Sequence, residues 1–160
     1  MNPMKIAKPG CQEHYEQVAL FSWLSMVAMH GIKAADDPMS YEVKGYADDT
    51  YGDADAIPAC KWVHAIPNGG SRGSTKDQAM RVGAQLKAEG VKSGVSDIFV
   101  PIPAHGLHGL YIEMKRTDSG ELSENQKAFG AFVREQGYGF CCCHGWKAAA
   151  ECLRQWLAGA

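Results

Sequence analysis

Apolar residues recur along this chain with two periods, and the switches between them lay out its elements. Leu20, Leu24 and Val27 or Ala28 keep a helical spacing, predicting a first helix over about Gln12 to His30 that ends at Gly31. Trp62 to Ile66 is a short strand, closed by the turn Pro67-Asn68-Gly69-Gly70. Ser74 or Thr75 caps a second helix, with Ala79, Val82 and Leu86 as its inward stripe up to Gly90. Two apolar runs, Ile98 to Val100 and Leu110 to Ile112, flank a Pro/Gly/His-rich connection and are expected to pair as a hairpin. Ser123-Glu124-Asn125-Gln126 has the form of a capping box, opening a third helix through Phe129 and Val133 to Gly137. Tyr138 to His144 is a further core strand, and 145–157 a closing helix with Ala149, Leu153 and Trp156 inward. Phe129 and Trp156 are assigned to the core rather than to stacking on nucleic acid.

This alternation of helices and strands predicts an α/β domain with a mixed central β-sheet flanked by helices. At 160 residues the chain fits one domain, 1–160, with a core of its own. Residues 31–60 stand apart and are expected to form a partly ordered acidic insertion. Its stretch 36–55 holds seven acids, Asp36, Asp37, Glu42, Asp48, Asp49, Asp53 and Asp55, against Lys44. Residues 61–92 are the counterpart, with Lys61, Arg72, Lys76, Arg81, Lys87 and Lys92 against Asp77 and Glu89. A basic stretch suits a phosphate backbone, although such runs are commonly a solvated helix face. Within it, Asn68, Arg72 and Lys76 are the candidate contacts to a DNA phosphate, the alternative being a plain Gly-rich turn before a helix. The net charge of −2 does not by itself advertise nucleic acid.

No run is expected to reach the ~20 apolar residues of a membrane helix, and the opening MNPMKIAKPG lacks a signal-peptide core. A cytoplasmic location is the expectation. Six cysteines include the run Cys141-Cys142-Cys143, whose middle member alternates to the opposite face of its strand. Without a CxxC pair, buried free thiols are the favoured reading over a zinc site. No glycine motif for nucleotide phosphates is present.

The chemistry concentrates in the hairpin. Asp97 heads its first strand, and Glu113 and Lys115, two apart, share a face of the second while Met114 points opposite. Folding the hairpin brings Asp97 beside Glu113, and two carboxylates this close call for a cation between them. Oxygen donors suit a hard ion, Mg²⁺ or Mn²⁺, which polarises a phosphate oxygen and acidifies water. Lys115 is placed to orient the attacking water. The competing reading is a surface hairpin with an ordinary Glu113–Lys115 salt bridge.

The run from Ala65 to Pro103, then Gly109 to Arg116 (GLYIEMKR), then Leu122 to Phe129 (LSENQKAF) resembles the PD-(D/E)XK nuclease superfamily. More narrowly it resembles the VRR-NUC family, the virus-type replication-repair nucleases, and Glu13 to Trp23 (EHYEQVALFSW) fits as well. Ser96 stands where the family usually has proline; the carboxylate after it is kept. The resemblance implies a restriction-endonuclease-like core and metal-dependent hydrolysis of DNA. Asp97, Glu113, the Met114 carbonyl and an acid on the first helix would be the metal ligands. The family spacing of Glu, three residues, then Gln selects Glu13 with Gln17, with Glu16 as its rival. Gln126 is either a helix cap or the family's glutamine lining the site. The stand-alone viral members imply a homodimer acting on branched or junction DNA, in the manner of a Holliday-junction resolvase. A non-catalytic junction-binding module on the same fold is the alternative.

Overall fold

A computed structural model describes residues 12–37, 54–67, 75–118 and 120–160 of the chain, without the side chains of Gln12, Glu13 and Lys76. Four strands, β1 (His64–Ala65), β2 (Ile98–Val100), β3 (Leu110–Lys115) and β4 (Gly139–His144), form one sheet in that order. β2 pairs antiparallel with β1 and β3, and β4 lies parallel to β3, so the sheet is mixed. Helices α1 (Gln12–Asp36), α2 (Lys76–Ala88), α3 (Glu124–Glu135) and α4 (Trp146–Leu157) surround it. The α/β architecture with a mixed central sheet is therefore the one the sequence pattern implies.

Strand alternation sorts the side chains. Ile98, Val100, Leu110, Ile112 and Met114 face a core built with Leu20, Leu24 and Val27 of α1 and Ala149, Leu153 and Trp156 of α4. These residues are 0–7% exposed, and burying each large aliphatic side chain contributes roughly 1.5–3 kcal/mol. The opposite parity, Phe99, Tyr111, Glu113 and Lys115, lies on the face met by α3. There Phe129 packs edge-on against Tyr111, with ring centroids 5.2 Å apart. Gly130 has the Phe140 ring at 2.9 Å from where a Cβ would sit, so α3 approaches the sheet closely only because that residue has no side chain.

Three expectations change. The first helix does not stop at Gly31. That residue breaks the helical geometry (φ 85°, ψ 173°), but helix resumes to Asp36, and a Cβ at Gly31 would collide with the Asp55 carbonyl. The edges of the expected insertion thereby join the fold. Asp36 accepts from the Trp23 indole at 2.9 Å and pairs with Arg154 of α4, whose guanidinium holds the Asp36 carboxyl below its ordinary pKa. A 3-10 turn, Pro58–Trp62, puts Cys60 in the core, while 38–53 lies outside the described residues. Second, α1 over His14–Asp36 is long and apolar enough, at a mean hydropathy of 1.4, to cross a membrane by length and composition. Its apolar stripe is nonetheless covered by the sheet and α4, as in a core helix. Third, Ala79, Val82 and Leu86 of α2 are only half-buried rather than a closed core stripe. The helix is held by its ends. Thr75 and Gln78 form a capping box, and Val91 N–H to Leu86 O (2.9 Å) with Gly90 N–H to Lys87 O (3.2 Å) closes a Schellman turn.

α4 has Gly145 at its N-cap and no side chain of its own to cap it. Glu16, from the other end of the chain, supplies the acceptor: its carboxylate takes the Trp146 N–H at 2.8 Å and the Thr117 hydroxyl at 3.3 Å. A negative charge at a helix N-terminus is also favoured by the peptide dipoles. Glu16→Ala is expected to cost about 1 kcal/mol of stability, and Glu16→Gln less, because its amide oxygen still accepts. Chemical denaturation of the three proteins checks this; an alanine variant as stable as wild type would remove the cap.

Candidate active site

Four of the sequence-selected residues converge where β2, β3 and the start of α3 meet. Ser96 and Asp97 enter β2, and Asp97 Oδ2 accepts the Met114 N–H across the strand pair at 2.8 Å. This hydrogen bond anchors the Asp97 carboxylate beside the neighbouring Glu113. The approach to β2 is set by Gly94 (φ 92°), which passes so close to Asn125 that a Cβ would sit 2.6 Å from its backbone. Ser93 Oγ accepts from Asn125 Nδ2 at 3.2 Å in the same place. The loop before Asp97 is thus fastened to the first turn of α3, and the carboxylate and Gln126 are brought together by one contact.

Glu113 is 2% exposed. Its Oε1 accepts from Lys115 Nζ at 3.1 Å and from the Gln126 side-chain amide. Its Oε2 is buried without a hydrogen-bond partner among the described residues. Lys115, 13% exposed at its side chain, also donates to Gln126 Oε1 at 3.1 Å. The Glu113–Lys115 pair therefore exists, but it is buried, not the surface salt bridge of the simpler reading. Gln126 fills both roles that its sequence context left open. Its Oε1 accepts the Ser123 N–H (2.9 Å) in a complete capping box, while the same side chain bridges Lys115 and Glu113. The cap is what fixes the glutamine's position over the carboxylate.

Burial raises the Glu113 pKa, the adjacent Asp97 charge raises it further, and Lys115 opposes both; the carboxyl stands at about 7 against an ordinary 4.5. An uncompensated buried carboxylate oxygen beside a second carboxylate is a costly arrangement for a stable fold. Two oxygen donors of this kind fit a hard divalent cation, which would satisfy Oε2 and relieve the repulsion.

The remaining candidates are placed less fully. The side chains of Glu13 and Lys76, and all of Asn68 and Arg72, lie outside the described residues. Glu16, the rival to Glu13, is committed to the α4 cap described above. Lys127 pairs with Glu124 at 2.8 Å on the surface. His105 bonds to the Gln155 carbonyl at 3.0 Å, and His108 packs edge-on against Tyr138. Sequence reasoning missed Cys142. It is opposite Glu113 in the β3–β4 register, on the same face, with burial raising its pKa and the Lys115, Glu113 and Asp97 charges acting on it. The parity of the cysteine run already sent this residue away from its neighbours; the parallel register, invisible in sequence, decides what it meets.

The sequence profile of the VRR-NUC domain matches residues 67–147, just over half of the chain and all of the site except the first helix. Among solved structures, one described as a VRR_NUC domain protein superposes with a TM-score of 0.62 at 18% identity, covering 96% of this chain and 93% of that one. At that identity the likeness speaks for the fold. No curated protein sequence matches.

Metal-free protein should lose stability as pH rises from about 4.5 to 7. In that window the folded state holds a proton on Glu113 that the unfolded chain has released, so the slope of stability with pH is negative. The loss is on the order of 3 kcal/mol at ~1.4 kcal/mol per pKa unit. Glu113→Gln should flatten this slope. Thermal melts in EDTA at fixed ionic strength measure it, and parallel pH profiles for the two proteins would refute the account.

Proposed function

The chain belongs to the VRR-NUC family, and on that premise we propose that it is a Mg²⁺- or Mn²⁺-dependent deoxyribonuclease that hydrolyses phosphodiester bonds in branched DNA. The observation that supports this most is Glu113, buried beside Asp97 and the Lys115–Gln126 pair with one carboxylate oxygen unpartnered among the described residues. The family is of nuclease type, with DNA as its substrate class; the metal, the branched substrate and a homodimeric assembly are our reading.

Asp97, Glu113 and the Met114 carbonyl, with Glu13 of α1, would hold the ion. When bound, such an ion acidifies water and offsets charge on the phosphate. The chain's own residues do the positioning. Asp97 is held in place by the Met114 amide, and Gln126, locked by its cap, fixes Glu113 Oε1 and the Lys115 ammonium together. Lys115 carries a positive charge at the edge of the site, placed to orient the water that attacks phosphorus and to stabilise the additional negative charge as the P–O bond to the leaving oxygen breaks. A desolvated ammonium is worth more here than one in bulk water. Exposed Arg81 and Lys87 of α2 and Lys92 beyond it would serve the phosphate backbone. A homodimer offers two such sites to the two symmetric strands of a four-way junction.

Lys115→Ala and Asp97→Asn are each expected to reduce cleavage by at least ~10²-fold while leaving DNA binding within a few-fold, since binding is spread over many phosphates. Glu13→Gln should lower activity far more than Glu16→Gln at equal folded fraction. Duplex, flap and four-way-junction DNAs incubated with Mg²⁺, Mn²⁺ or EDTA provide the assay. Metal-independent cleavage, or near wild-type cutting by Lys115→Ala, would sink the proposal.

A further inference from the structure

The face of β4 that looks away from the carboxylate site carries a second cluster of metal-type donors. Cys141 and Cys143 are two apart on the strand and share its α4 side, and Cys152 projects from the second turn of α4 onto them. Cys141 Sγ lies 3.0 Å from Cys152 Sγ and 3.6 Å from Cys143 Sγ, and all three sulfurs fall within 4.8 Å of one another. Cys143 lies in the hydrophobic core and Cys141 and Cys152 pack against it, yet their three sulfurs also converge on one another. Zinc–sulfur bonds of ~2.3 Å at tetrahedral angles place sulfurs about 3.8 Å apart, inside the range of this triangle.

We propose that Cys141, Cys143 and Cys152 form a binding site for a divalent thiophilic cation, Zn²⁺ foremost, separate from the Asp97–Glu113 site. Soft sulfur donors select against Mg²⁺ and Mn²⁺, as the hard oxygens on the other face of the sheet select for them. Three thiolates leave a fourth position for water. Cys143 is buried, while Cys141 and Cys152 are half-buried. A bound ion would tie α4 to β4, the strand whose opposite face carries Cys142 against the carboxylates.

The test is a titration of reduced, metal-free protein with Cd²⁺, a zinc surrogate whose thiolate complexes absorb in the ultraviolet. One equivalent should saturate the sulfur-to-metal band, Zn²⁺ should displace it, and Mg²⁺ or Mn²⁺ at a thousand-fold excess should not. Cys152→Ala, checked by thermal melt for folding, should weaken binding at least a hundred-fold; Cys142→Ala and Cys11→Ala should leave it unchanged. In the wild-type protein, Zn²⁺ should protect Cys141, Cys143 and Cys152 from alkylation, as mapped by peptide mass, which holds even if a variant fails to fold. No stoichiometric band, a band surviving in folded Cys152→Ala, or protection that falls on other cysteines would overturn the site.

Discussion

A carboxylate with no hydrogen-bond partner among the described residues for one of its oxygens, Glu113, is buried at 2% exposure. Most of the surrounding construction holds it there. β3 carries it between Ile112 and Met114, which point into the core and make the strand difficult to shift without exposing them. Asp97 is tied to the next residue's amide, and Gln126 reaches its other oxygen from a helix cap. Gly94 and Gly130 let the loop and α3 come close enough for both contacts. Burial, an adjacent like charge and an ammonium at 3.1 Å then compete over a single proton. A group strained in this way is characteristic of a functional site, and a hard cation is the simplest partner for it.

Much of this was legible in the sequence because it depends on local periodicity. Period-two alternation placed Glu113 and Lys115 on one face, and apolar runs broken by Gly and Pro marked β2 and β3. Ser123 to Gln126 announced a capping box that is present in full. What escaped was long-range. Glu16 caps α4 across 130 residues, and no local pattern on either segment signals it. Asp36 read as part of an acidic loop, because its partners, Trp23 and Arg154, are 13 and 118 residues away. Gly31 read as a helix stop, whereas its positive φ accommodates the Asp55 backbone and the helix resumes. Gln126 posed a choice between cap and site that the geometry dissolves, since one amide serves both.

β4 gives the two faces of the sheet opposite chemistries. Its even residues look toward carboxylates, lysine and α3; its odd cysteines look toward α4 and another thiol. A single strand thus borders an oxygen-donor site and a sulfur-donor cluster, and the pleat keeps them apart. The basic surface of α2, fastened mainly by its caps, stands outside the core formed by α1, α4 and the sheet.

The central claim is that the free Glu113 oxygen belongs to a metal site, and calorimetric titration of Mn²⁺ into metal-free protein tests it most directly. At pH ~6.5, below the raised Glu113 pKa of about 7, binding should be saturable and should release a proton, seen as a dependence of the heat on buffer ionisation enthalpy. Glu113→Gln should bind at least ten-fold more weakly and release no proton. Saturable binding of equal strength and equal proton release in both proteins, or none in either, would contradict the account.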